Sequence, residues 1–317
     1  MSIVDENSVK ELQKLIDKVN KQNLYSAFTY LSWSTFGLTI TYEYDANNEC
    51  IYFPAQIHES YWEYTNQVFH YELAKDVNER HLILSPIIKD PNKFLTVLKH
   101  QVDAIMNSHA CMGVLVNDLT NEQYEQVQQH YETKLIFKTV SNFLYPREQL
   151  QFMSGNKMQK KRNHLNFYLK NFAFKSHIKK ISEIPFHEIE QYLQQWGDEN
   201  DKFNHKSELD FVKKCQHLIA DQTLKGIGLY LDNQLIGLTI SYEHGDYCEI
   251  LIEHANKTIR GSYQYLLSQN LGLNHSQSQI VDRQDDVLSA VIYEAKRRYK
   301  PSAIIEKNFI LILKPKC

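Results

Sequence analysis

The stretch EILIEHANKTIRGSYQYLLSQNLGLNHSQSQIVDRQDDV, Glu249 to Val287, decides the reading of the 317-residue chain. It opens on an apolar strand, Glu249 to Glu253, and passes through a turn carrying Arg260 and Gly261. A helix from about Ser262 to Leu271 follows, then a short strand near Gln279 to Val281. The polar turn Asp282-Arg283-Gln284-Asp285-Asp286 closes it. Strand, turn and helix in that order present backbone N–H groups at a helix N-terminus, where partial positive charge favours a phosphate or a developing oxyanion. Chemistry is expected here.

Working outward, three apolar segments precede and enter this stretch: Gly226 to Leu231, Gln234 to Tyr242 and Tyr247 to Glu253. Asp232-Asn233 reads as a two-residue hairpin turn, and Glu243 to Asp246 joins the second pair, so the segments form an antiparallel meander. Upstream lie helical patterns near Phe186 to Trp196 and Glu208 to Ala220, and a strand near Phe174 to Ile178. A helix is expected from Asn156 onward. From Gln149 to Ser182 there are eight Lys or Arg residues and no carboxylate. Downstream, a helix Val287 to Arg298 and a strand Phe309 to Leu313 end the chain. The first half mixes an amphipathic helix (Glu6 to Asn20), a hairpin (Leu38 to Tyr42 with Cys50 to Phe53) and helices at Tyr61 to Ala74, Asn92 to Met106 and Asn121 to Tyr131. Short strands at Leu82 to Leu84, Met112 to Val116 and Leu135 to Thr139 lie between them. The pattern changes around Tyr145-Pro146-Arg147, which divides the chain into regions 1–147 and 148–317. No internal sequence repeat is evident.

An apolar fraction of 43% with 23% charged residues belongs to a globular α/β protein. A net charge of −3 excludes a protein that coats nucleic acid by overall charge, though a local basic face is compatible with it. Five isolated cysteines form no CxxC pair, and the fourteen histidines form no HExxH spacing, so no metal centre is expected. No apolar run is long enough to cross a bilayer, and the N-terminus lacks a signal-peptide order. A cytoplasmic location is the expectation.

Three stretches carry a resemblance: GNKMQKKRNHLNFY (Gly155 to Tyr168), IEHANKTIRGSYQYLLSQ (Ile252 to Gln269) and DRQDDVLSAVIYEAKRRYKPSAIIEKN (Asp282 to Asn308). Their order and spacing, with the Trp33 to Phe53 opening, resemble the bacterial family of the phosphatidylglycerol lysyltransferase C-terminal domain and its soluble relatives. The resemblance implies two tandem Gcn5-related N-acetyltransferase-like domains with mixed, largely antiparallel sheets flanked by helices. It also implies acyl or aminoacyl transfer from an aminoacyl-tRNA or acyl-CoA donor to a small-molecule amine or hydroxyl acceptor, with no tightly bound cofactor. This sequence departs from the family in having no membrane helices, His254 in place of a lysine, and one glycine, Gly261, where the Gcn5 pyrophosphate loop has two. A catalytically degenerate module that binds a small molecule or a protein partner is the competing reading.

Acyl transfer needs a held donor, a base for the nucleophile's proton, and donors for the oxyanion. Glu253 at a strand end is a candidate base, its pKa raised by Ile250 and Ile252; the alternative is a salt-bridged carboxylate. Tyr263 is a candidate acid for the leaving group, or a buried position of its helix. Lys157, Lys160, Lys161, Arg162 and His164 are read as facing a polyanion, tRNA or a nucleotide pyrophosphate, rather than as a merely solvated face. Arg260 and Gly261 offer a guanidinium and a close backbone approach to phosphate. Asp285 and Asp286 either cap a helix or, as the resemblance implies, hold an ammonium group, with Arg283 and Tyr299 also facing substrate. Lys307 is read as a surface lysine.

Overall fold

The computed structural model describes residues 1–59, 61, 81–108, 113–200, 205–286 and 289–315. Beyond Tyr61 the helix expected at Tyr61 to Ala74 lies outside these residues, as do the first residues of the segments expected from Met112 and Val287. The chain divides into two compact units, residues 1–141 with 305–317, and residues 142–304.

In the first unit β1 (Ser2–Ile3), β2 (Leu38–Asp45), β3 (Cys50–Ile57) and β4 (His81–Ile88) pair antiparallel in sequence order. The helix Phe94–Ser108 then leads to β5 (Val114–Leu119), which pairs parallel with β4. The helix packs on the sheet through Phe94, Leu98 and Val102 against Ile83, Val114 and Val116, all buried. The expected helix and hairpin at the N-terminus are present as Val9–Asn20 and β2–β3.

The second unit repeats that plan. Strands β7 (Ser176–Lys180), β8 (Lys225–Leu231), β9 (Gln234–His244) and β10 (Tyr247–Ala255) form an antiparallel series. The helix Ser262–Asn274 leads to β11 (Ile280–Asp282), parallel to β10. The β8–β9 turn has Asp232 at φ 48° and Asn233 at φ 65°, the left-handed pair that a type I′ turn requires. Leu266, Leu267 and Leu271 of the 262–274 helix are at most 1% exposed. Burying each contributes about 1.5–3 kcal/mol, which anchors the helix that starts at the Arg260–Gly261 turn.

The closing strands explain why the units differ from a division at residue 147. The long strand β6 (Tyr131–Pro146) begins in the first unit, and its last residues pair antiparallel with β11 in the second. Strand β12 (Ala303–Pro315), at the C-terminus, pairs antiparallel with β5 in the first unit. The C-terminal strand β12 thus completes the sheet of the first unit, although its partner β5 lies far away along the chain.

Candidate active site

The site is built where the parallel pair β10 and β11 ends. Their register sets Glu249 beside Asp282, so Glu253, still within β10, and Arg283, directly after β11, both lie beyond the paired stretch in the carboxyl direction, the edge at which ligands collect in parallel sheets. The β10–β9 register shifts between Ile250 and Ile252, two residues before Glu253, and such a bulge re-aims the side chains beyond it. Arg283 donates from Nη2 and Nε to the two Glu253 oxygens, at 2.8 and 3.2 Å. The side chains are 10% and 7% exposed, so breaking this bidentate pair would strand a charge in the interior. Glu253 is therefore in the ion pair that stood as the alternative to a general base.

Around this pair lies a cationic surplus. The Arg283 guanidinium is 4.6 Å from the centre of the buried Tyr299 ring, and Lys161 Nζ is 3.8 Å from the same ring centre. Gln264 donates to the Tyr299 hydroxyl. Burial pushes that hydroxyl up to about 12 against the opposing charge of Arg283, so it is protonated at neutral pH. Burial also pulls Lys161 down to about 8, reinforced by the charges of Arg283 and Arg298 and opposed by Glu253.

The turn carrying Arg283 is pinned from inside. Lys296 donates to the backbone carbonyls of Arg283, Gln284 and Asp285, and Tyr145 donates to the Lys296 carbonyl at 2.8 Å. Asp282 is fully buried and accepts from Asn142 Nδ2 at 2.5 Å and from the Gln284 N–H at 2.7 Å. Burial raises its carboxyl well above the usual range, with Glu249 adding to the effect.

The structure brings Glu253, Arg283, Tyr299 and Lys161 together, with the Tyr263 hydroxyl near enough to feel the charges of Glu253 and Arg283. Tyr263 is half-buried against the core that contains Tyr168 and Leu266, and burial raises its hydroxyl. Arg260 is exposed, its guanidinium 4.6 Å from the Phe167 ring centre. Gly261, at φ 91°, is where two helices touch: a Cβ there would lie 2.2 Å from the His164 carbonyl oxygen. That close approach is a packing reason for the glycine. Arg162 spends its guanidinium on the carbonyls of Met153 and Gly155, at 2.8 and 3.1 Å, and so braces a turn. Lys157 and Lys160 are exposed, His164 half-buried. The Asp285 carbonyl is a ligand of the Lys296 clamp, and the buried Asp286 accepts the Ser289 N–H at 2.8 Å through its carbonyl. Lys307 is a buried residue of the first unit, 3.4 Å from Asp118, which corrects its reading as a surface lysine. Flanked by the polar Glu306 and Asn308, it reads as exposed from sequence, because its carboxylate partner is remote along the chain.

Three further features had no counterpart in the sequence reading. Ser241 Oγ is 2.7 Å from His275 Nε2, and His275 Nδ1 is 3.1 Å from Glu243, in a triple whose serine and histidine have no exposure. His254 Nε2 is 2.6 Å from Glu208, and the Trp196 ring stacks on His254 with centres 3.6 Å apart, so the histidine in place of the family's lysine is held by partners of its own. A cavity of about 690 Å³ is lined by residues including Gln149, Lys157, Met158, Arg297, Lys300 and Pro301, and by no carboxylate. A polar residue on an otherwise apolar helix face, as at Gln264 and Asn270, is the signal that points inward from sequence. Among the described residues no cluster of His, Cys, Asp and Glu is fit to hold a metal ion, and no helix is long and apolar enough to cross a membrane.

One family model covers most of the chain. The model of the phosphatidylglycerol lysyltransferase C-terminal domain matches residues 44–310. An uncharacterised protein of Mycoplasmoides gallisepticum is 35% identical over 99% of this chain and 100% of its own length. Among solved structures, a conserved protein of Bacteroides thetaiotaomicron aligns with TM-score 0.72 at 16% identity, covering 98% of this chain and 97% of that one. L-PGS of Bacillus licheniformis aligns with TM-score 0.59 at 13% identity, covering 99% and 94%. A tandem GNAT protein from the clavulanic acid biosynthesis pathway aligns with TM-score 0.50 at 7% identity, covering 100% and 99%. At these identities the structures speak for the fold, which is the tandem Gcn5-like acyltransferase fold.

Proposed function

Because the chain belongs to the phosphatidylglycerol lysyltransferase C-terminal family, we propose that it transfers an aminoacyl group from an aminoacyl-tRNA ester to an amine or hydroxyl acceptor. The observation that carries this reading is the cluster of Lys161, Tyr299, Arg283 and Glu253 at the ends of the parallel strands. Acyl transfer passes through a tetrahedral oxyanion, and preorganised cations in a dry site stabilise charge that develops there far better than water does. Arg283, Arg298 and Lys161, with Glu253 paired to the first of them, contribute to that field.

Several features favour RNA over coenzyme A as the carrier. Exposed Lys157 and Lys160 belong to a stretch of more than thirty residues without a carboxylate, and Lys300 and Arg297 line the neighbouring cavity. Such a surface suits a ligand with many phosphates. Gly261 is taken up in helix contact with His164 and Tyr168, which argues against a close pyrophosphate at that backbone. On this reading Asp285 and Asp286, in the pinned turn, would attract the ammonium of the aminoacyl group.

The test follows a labelled amino acid. Bulk tRNA charged with radioactive amino acids is incubated with the protein and either phosphatidylglycerol vesicles or a pool of small amines, with acetyl-CoA as a separate donor. Faster loss of label from tRNA into an extractable product, weakening steeply with salt, is the expected result. Transfer from acetyl-CoA alone would replace the donor. No transfer from either would favour a binding module.

A further inference from the structure

With Glu253 locked by both oxygens in its ion pair, the site needs another group to take the proton from the attacking nucleophile. We propose that Lys161, in its neutral amine form, is that group; the assignment rests on the aminoacyl-transfer reading above. The geometry carries it. Lys161 is on the helix Gln159–Asn171, half-buried, with Nζ 3.8 Å from the centre of the Tyr299 ring. That ring also carries the Arg283 guanidinium, whose Nε and Nη2 are spent on Glu253. Lys157 and Met158, one turn before Lys161, and Lys300 and Pro301, directly after Tyr299, line the 690 Å³ cavity, so the cavity opens beside the Lys161–Tyr299 contact.

The charged and titratable groups acting on Lys161 are Arg283, Arg298 and Lys160, which disfavour its ammonium form, and Glu253, which favours it; Tyr299 stays protonated. Burial adds to the first three, and the amine is pulled down to about 8, within reach of neutral pH. Lys296 is pulled down as far but is committed to three backbone carbonyls.

The step balances as follows. The nucleophile's N–H or O–H bond breaks, its proton goes to Lys161 Nζ, and its electron pair forms the bond to the ester carbonyl carbon. The new ammonium faces the oxyanion it has helped to create. Collapse breaks the bond from carbon to the ribose oxygen, and Lys161 returns the proton to that leaving oxygen.

Two variants separate this role from simple anion attraction. Lys161→Arg keeps the charge and cannot lose it at neutral pH, whereas Lys161→Met removes both. Both are expected to lower turnover by about 10²–10⁴-fold, with melting temperatures within a few degrees of the parent protein. An arginine variant that retains a third or more of the turnover would overturn the assignment. Independently, trace acetic anhydride labels only neutral amines, and mass spectrometry of the Lys161 peptide across pH 6–11 reads its midpoint in the intact protein. A midpoint near 8 is expected, and one above 10 would overturn the assignment without touching the transferase reading. A midpoint near 8 with no transfer from any donor would instead sink the transferase reading, and the proton-transfer role with it.

Discussion

Two polar clusters in the second unit are made from similar parts and differ in what they are able to do. Ser241, His275 and Glu243 stand at the distances of a nucleophilic triad, yet Ser241 and His275 have no exposure and Asn270 also donates to the serine hydroxyl, at 3.1 Å. His275 caps the end of the 262–274 helix, so the triple ties that helix to β9. Lys161, Tyr299, Arg283 and Glu253 lack any familiar catalytic spacing, but Lys161 is half-buried beside a cavity wall and cations outnumber the carboxylate. Hydrogen-bond geometry alone does not make a catalytic site. Access and unmatched charge separate the two.

The largest effect should come from breaking the ion pair. Arg283→Met leaves Glu253 buried and unpaired, and urea unfolding should show a loss of about 3–5 kcal/mol. Adding Glu253→Leu should restore much of it. A single variant losing under 1 kcal/mol would mean that the pair is not the frame of the site.

Acid should act on the sealed cluster next. Burial pulls His275 down to about 4, with Glu243 only partly compensating, so the folded protein holds it neutral. A base with a depressed native pKa gives the unfolded chain more protons between the two values. Its contribution is present in full above about 6.5 and is lost as pH falls towards 4, by about 3 kcal/mol in all. A His275→Gln variant should flatten that part of the stability curve. If the curve keeps its slope, His275 is not the titrating group.

Gly261→Ala would place a Cβ against the His164 carbonyl oxygen at a φ of 91°. A cost of about 2–4 kcal/mol is expected from the overlap and the backbone conformation together. Arg260→Ala, in the same dipeptide but exposed, should leave the melting temperature alone. Equal losses from both would return the turn to the status of one functional unit.

The smallest effect sharpens the comparison most. Ser241→Ala should cost about 1–2 kcal/mol by removing the buried hydrogen bonds to His275, Asn270 and the Lys225 carbonyl, with turnover unchanged. A drop of several orders of magnitude in turnover would make the sealed triple the catalytic one and reverse the roles of the two clusters.

Much of the fold is legible in the residues themselves. Alternating apolar positions mark β8, β9 and β10, the Asp232-Asn233 pair turns the chain between the first two, and helical spacing marks Val9–Asn20 and Ser262–Asn274. Part of the site is legible as well, since Glu253, Arg283, Tyr299 and Lys161 stand out by type and place. Their roles do not. Arg162 and Lys161 are neighbours in one basic run, yet one helix turn's geometry sends the first to two carbonyls and the second over an aromatic ring.

What the sequence determines by itself is local: which segments are strands and helices, where the turns fall, and which stretch is basic. Those properties follow from backbone sterics and periodicity, which act over a few residues. Only the tertiary structure decided that β6 and β12 each complete a sheet far along the chain, that Glu253 is held by Arg283, and that Lys161 meets Tyr299. Ion pairing and desolvation depend on which groups share an interior, and that is set by the packing of distant segments rather than by spacing along the chain.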